Sequence, residues 1–212
     1  MSRRHRLEQL LRNPRIWKAG QGVRRQPTLP TGFTGLDAAL SGGWPVGQLI
    51  ELLADPYGIG ELRLLMPALA GLAGKWTVLI APPYIPYAPA FAEQGINMSR
   101  LLVVRCRRQV DTLWAIEQAL HSNTCAALLA WSDRTDESSL RRLQLAAEAH
   151  EACLLVLFRP LRLRHQRSPA ALRIQLTPGT AGTLELQVFK NRGGPPEIVV
   201  VRIGGESRSA DG

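Results

Sequence analysis

Cysteine, acidic residues and long apolar runs are all scarce in this chain of 212 residues. The three cysteines, Cys106, Cys125 and Cys153, lie far apart, and their odd number fits no disulfide framework. Cys125 and Cys153 each open an apolar stretch and read as buried thiols of a reducing, cytoplasmic compartment. No apolar run reaches the roughly 18 residues that a membrane span requires, which argues against a membrane protein. The arginine-rich start has no apolar segment of the kind a secretory signal needs. Neither a metal site nor a cofactor is expected. What remains, 45% hydrophobic residues in a chain of this length, suits one globular core.

The shortage of acid is local. Lysine and arginine number 26 against 17 aspartates and glutamates, for a net charge of +9. Residues 1–25 hold eight basic side chains against Glu8 alone, and residues 159–173 hold five arginines and no acid. These windows contribute +7 and +5 and leave the rest of the chain at −3. Basicity concentrated in this way points to a polyanion or an acidic protein face, with a solvated basic surface as the plainer reading. Arg159, Arg162, Arg164 and Arg167 are the candidate contacts. Their alternation with leucine suits an edge strand with one basic face, or equally a flexible loop around phosphates. The run contains no aromatic residue, so contact with nucleic acid would go to the backbone rather than through base stacking.

Along the chain, His5 to Asn13 can form a short helix with Leu7, Leu10 and Leu11 on one face, followed by an isolated Trp17. These four residues are candidate partner-docking positions. A Gly/Pro/Arg linker from Gly20 to Pro30 separates them from the rest. The expected domains are therefore a basic arm and linker over 1–30, a folded domain over 31–203, and a polar, disordered tail over 204–212. Within the domain, Thr34 is expected to cap a helical turn to Leu40, Asp111 a helix to His121, and Asp133 or Thr135 a helix to about His150. Strands are expected at Gln48–Leu53, Lys75–Ala81, Leu101–Arg105, Ala126–Trp131 and Cys153–Phe158. They are continuously apolar, which implies a parallel sheet with helices on both faces. The last third reads as three strands joined by Gly/Pro turns, hence a meandering antiparallel addition.

Between the first of these strands and the following apolar helix lies Asp55-Pro56-Tyr57-Gly58-Ile59-Gly60-Glu61-Leu62. A phosphate-binding loop reads G-x-x-x-x-G-K-[ST] in that setting. Its backbone N–H groups cradle phosphate, its lysine neutralises it, and its hydroxyl holds Mg²⁺. Here Gly60 keeps the second glycine, but Asp55 replaces the first, Glu61 the lysine and Leu62 the hydroxyl residue. A carboxylate about 4 Å from a phosphate costs roughly 4 kcal/mol at an effective dielectric near 20. Gly58 and Gly60 still permit a nest of N–H groups at the helix start, but Asp55 and Glu61 oppose an anion there.

The run Thr31-Gly32-Phe33-Thr34-Gly35-Leu36-Asp37, continued by Ser41-Gly42-Gly43-Trp44-Pro45-Val46-Gly47, resembles the opening segment of the RecA family. The likeness extends from about Thr31 to Ile203. Within that group, the D-P-Y-G-I-G-E-L run and the strand ending in Pro82-Pro83 resemble the ImuA proteins of bacterial damage-induced mutagenesis operons. A weaker resemblance connects the chain to the SulA-type inhibitors of cell division. The resemblance implies an α/β fold: a RecA-like, P-loop NTPase-type core with a mostly parallel sheet flanked by helices, plus C-terminal antiparallel strands. It also implies that Pro83 or Pro82 stands where RecA has its catalytic glutamate, and Trp131 where the Mg²⁺-orienting aspartate ends its strand. Asp133, two residues on, is the one available substitute. With cation, metal ligand and base all missing, hydrolysis is not expected and no catalytic residue is assigned.

The function implied is that of a non-catalytic adaptor of the SOS-induced translesion synthesis machinery. Its partners would be an ImuB-like polymerase homologue and a C-family error-prone polymerase, with RecA and single-stranded DNA as further contacts. Such a protein would be cytoplasmic and associated with the nucleoid when engaged. The alternative is a SulA-like inhibitor of the tubulin-like division GTPase. Lys190-Asn191-Arg192 resembles a lysine-bearing segment that RecA places across its subunit interface. Arg105, Arg107 and Arg108 form a second, smaller basic cluster.

Overall fold

The computed structural model describes residues 27–72, 74–150 and 152–204. Their backbone forms a two-stranded ribbon of β1 (Thr28–Leu29) and β2 (Trp44–Pro45), and an eight-stranded sheet. The sheet comprises β3 (Gln48–Ala54), β4 (Trp76–Ile80), β5 (Leu101–Val104), β6 (Cys125–Trp131), β7 (Leu154–Pro160), β8 (Leu172–Pro178), β9 (Thr183–Asn191) and β10 (Glu197–Arg202). The helices are α1 (Thr34–Ala39), α2 (Glu61–Ala70), α3 (Ala88–Glu93), α4 (Gln109–His121) and α5 (Glu137–Ala149). Strand order is β10-β9-β8-β3-β7-β6-β4-β5. Every pairing from β8 through to β5 is parallel, and β9 and β10 extend the β8 edge antiparallel. The expected α/β class and mostly parallel sheet are therefore present. The expected three-strand antiparallel addition is two strands, because β8 joins β3 in parallel.

Burial explains the strand patterns. In β7, Leu154, Val156 and Phe158 face one core with Leu64 and Leu65 of α2. Leu155 and Leu157 face a second core with Ile116 of α4 and Leu140 and Leu143 of α5. A strand covered on both faces has no polar side, hence its unbroken apolar run. In β9, buried Leu184, Leu186 and Val188 alternate with Thr183, Glu185 and Gln187, as befits a strand with one solvated face.

The helix starts differ from expectation. Asp136, not Asp133 or Thr135, caps α5, accepting a hydrogen bond from Ser139 N at 3.1 Å. Hydrogen bonds from Ser138 and Ser139 lower its carboxyl pKa to about 2. Asp111 lies within the first turn of α4 and binds Arg108, the residue at the cap, through a carboxylate–guanidinium pair. Phe33 precedes α1 without a side-chain cap, and Asp37 instead reaches back to accept Thr31 N at 2.7 Å. The boundary of the fold also moves. Thr28 and Leu29 pair with Pro45 and Trp44, so the chain joins the folded unit before Thr31. Leu7, Leu10, Leu11 and Trp17 lie outside the described residues, as does the polar tail beyond Gly204.

Candidate functional site

The central strand β3 ends at Ala54, and the loop to α2 leaves from the carboxyl edge of the sheet, where ligands of open α/β sheets bind. Gly58 (φ +90°) and Gly60 (φ +102°) both lie in the region that disfavours side chains. A β-carbon on Gly60 would clash with Ile203 Cδ1, so the residue that follows β10 closes down on the loop. Glu61, the first residue of α2, is only 4% exposed. Its two carboxylate oxygens each accept a hydrogen bond from Gly58 N, at 3.0 Å. The loop thus folds around a carboxylate of its own, at a helix N-terminus that favours negative charge. Leu62 packs at the margin of the α2-side core rather than offering a metal ligand. Asp55 is exposed.

Two further positions of the nucleotide-loop comparison lie along the same edge. Pro83 is exposed, three residues beyond β4. Trp131 ends β6, is 6% exposed, and stacks on Phe158 of β7 with ring centroids 4.5 Å apart. Its ring fills core volume that a short aspartate would leave open. Beside it opens a cleft of about 530 Å³, lined among others by Tyr57, Arg107, Trp131, Asp133 and Arg134. Asp133 is exposed at its margin. Burial, and then the nearby Asp133, push the Tyr57 phenol well above its ordinary pKa, so it remains protonated.

The basic segment after β7 separates into an inner and an outer set. Arg159 is fully buried, which corrects its expected place among the surface contacts. Its Nη1 lies 2.7 Å from Glu51 Oε1, and its Nη2 donates to Thr135 O and Gln166 Oε1, each at 2.8 Å. Arg173 from β8 binds the other oxygen of Glu51 and donates to Gln166 O and Leu163 O. Glu51 itself is fully buried in β3. A carboxylate there must be neutralised, and the registers of β3 with its two parallel neighbours bring one arginine from each. The segment between is neither an edge strand nor an irregular loop, but a 3₁₀ turn at Leu161–Leu163 followed by turns tied to this triad. Arg164 is half-buried, donating to Gln175 Oε1 at 2.7 Å and lying over Phe189 at 5.1 Å. Arg162 and Arg167 are exposed. Arg162 reaches Asp133 O at 3.3 Å, and Arg167 lines a shallow cleft with Arg141 and Glu137.

Glu51 was the residue to notice in the sequence: a single acid inside an apolar strand demands a cationic partner. The segment at Lys190–Arg192 is likewise engaged within the chain, with Lys190 Nζ donating to Ser168 O and Arg192 Nη2 to Pro169 O, both at 2.7 Å. Arg105, Arg107 and Arg108 are exposed, Arg108 being paired with Asp111. Tyr84, Ile85 and Tyr87, just beyond β4, expose large apolar surface at 65%, 77% and 70%. Among the described residues no helix is long and apolar enough to cross a membrane.

No protein-family model matches the chain. Two curated relatives do, both named Protein ImuA and both from Caulobacter vibrioides, one from strain NA1000 / CB15N and one from strain ATCC 19089 / CIP 103742 / CB 15. Each is 29% identical over 178 residues, covering 80% of this chain and 71% of the relative. The similarity runs through four-fifths of the sequence and agrees with the resemblance read from the motifs around the altered loop: the chain is similar to proteins named ImuA.

Proposed function

We propose that the chain is a non-catalytic, RecA-like adaptor of damage-induced mutagenesis, acting in translesion DNA synthesis through protein contacts, with DNA or an acidic partner face as the counterpart of its exposed arginines. The observation that carries the reading is the carboxylate of Glu61 held by Gly58 N–H in the loop where a phosphate would sit. An anion bound by the protein itself leaves an incoming polyphosphate to meet like charge instead of lysine. Leu62, Pro83 and Trp131 supply neither hydroxyl, general base nor metal ligand. The strands to which the resemblance assigns the nucleotide loop, the lost glutamate and the lost aspartate are β3, β4 and β6. All three are parallel members of one sheet, which supports the RecA-like reading. The similarity to proteins named ImuA supports the place in mutagenesis.

The partners implied are an ImuB-like polymerase homologue, a C-family error-prone polymerase and RecA. The exposed Tyr84-Ile85-Pro86-Tyr87 segment offers apolar surface for such contacts, and exposed Arg162 and Arg167 offer charge for DNA. Two measurements test the reading. The purified chain should show no ATP hydrolysis above a denatured control, with or without single-stranded DNA, and Glu61→Lys alone should not create it. Tagged chain should capture the ImuB-like protein from damage-induced cells. ATP turnover surviving removal of contaminating RecA would overturn the non-catalytic part. Filamentous cells on overproduction, without ImuB-like capture, would point instead to a SulA-like inhibitor of division.

A further inference from the structure

At the opposite edge of the sheet, far along the chain from the loop residues, three metal-ligating side chains meet. Cys125 is the first residue of β6, Cys153 directly precedes β7, and His150 directly follows α5. β6 and β7 are parallel neighbours, so their starts lie side by side, and α5 connects the end of one to the start of the other. It therefore delivers His150 to the same place. A turn closed by Cys153 N donating to His150 O at 3.1 Å sets the His-x-x-Cys spacing. The cysteine sulfurs are 3.7 Å apart, and the two sulfurs and an imidazole nitrogen all lie within 4.8 Å of one another.

We propose that Cys125, His150 and Cys153 form a zinc site. Packed thiols alone can account for the sulfur separation, but they do not account for His150. It is 4% exposed, and both of its ring nitrogens are buried without a hydrogen-bond partner among the described residues. A buried imidazole ordinarily has a partner for each nitrogen. A metal ion satisfies one of them and draws on the soft donors beside it. Zinc–sulfur bonds of about 2.3 Å in tetrahedral geometry set neighbouring thiolates about 3.8 Å apart, close to the separation observed. Two thiolates and a neutral imidazole around Zn²⁺ form a neutral group, which suits a buried place, whereas monovalent copper would leave a net negative charge. Cys125 also lines an apolar cavity of about 370 Å³ between α4 and the β4–β5 edge, which offers a path for the ion and room for a fourth ligand. The role is structural: the ion would clip the end of α5 to the starts of two central strands. This site lies outside the proposed function and does not depend on it.

The test uses the full chain, stripped with a chelator, kept reduced and titrated with Co²⁺ and then Zn²⁺. One equivalent of Co²⁺ should produce thiolate-to-metal charge transfer and the intense visible bands of tetrahedral cobalt, and Zn²⁺ should displace it and raise the melting temperature. Cys125→Ser and Cys153→Ser should each abolish the charge-transfer band. His150→Asn should weaken affinity at least about tenfold while keeping sulfur ligation, and Cys106→Ser should change nothing. Should the cysteine variants fail to fold, thiol labelling of the unaltered protein decides, because bound Zn²⁺ should protect two of the three cysteines. Failure to take up either ion overturns the proposal. So does uptake that persists in both cysteine variants, or labelling of Cys125 and Cys153 that proceeds at the same rate with and without Zn²⁺.

Discussion

The loop after β3 and the segment after β7 leave the same edge of the sheet from adjacent parallel strands, yet they handle charge in opposite ways. The first contains acid where a phosphate-binding loop needs base, and it keeps that acid: Glu61 turns onto Gly58 N–H and is covered. The second contains base in excess and gives part of it away. Arg159 is drawn inside to Glu51, together with Arg173, and only Arg162 and Arg167 remain fully at the surface. Runs of charge that look alike in sequence therefore divide by depth. An inward charge serves the fold and must be paired. An outward one is free to meet a partner and is worth little to stability.

The sharpest way to break this contrast is at Glu51. Glu51→Gln should leave two buried arginines without a counter-charge and cost roughly 3–5 kcal/mol, measured by chemical denaturation. Replacing Glu51, Arg159 and Arg173 together by Leu, Met and Met should recover most of that loss. If the single variant is as stable as the parent, the inner set has no structural role.

A smaller effect is expected at the loop. Glu61→Ala removes a charged acceptor from Gly58 N–H and should cost about 1.5–3 kcal/mol. Glu61→Gln, which keeps an acceptor, should cost less. Thermal melts of the two variants would rank them, and equal melting temperatures would remove the carboxylate from the account.

The smallest effect on the fold, and the largest on binding, belongs to the outer arginines. Changing Arg162 and Arg167 to Ala should shift stability by under about 1 kcal/mol, since exposed charges contribute little. If each meets one phosphate of single-stranded DNA, log K should fall against log salt with a slope of roughly −1.4, and the double variant should flatten it. An unchanged slope would move the DNA contact elsewhere, with residues 1–25 the next basic segment to test.

Local chemistry was enough to read the parallel, doubly covered sheet, because β3, β6 and β7 carry apolar side chains on both faces and only helices on each side can bury them. It was also enough to read the altered loop, since Gly58, Gly60 and Glu61 are neighbours in the chain and their meeting depends on a single turn. Helix starts were harder: Asp133, Thr135 and Asp136 all have capping chemistry, and the direction of the chain leaving β6 selects Asp136. Three things were decided only by the tertiary structure: the burial of Arg159 against Glu51, the parallel attachment of β8, and the meeting of Cys125, His150 and Cys153. Each depends on strand order and register, which set residues far apart in the chain side by side. Composition and periodicity specify which face a side chain takes, but they do not say which strand will lie next to it.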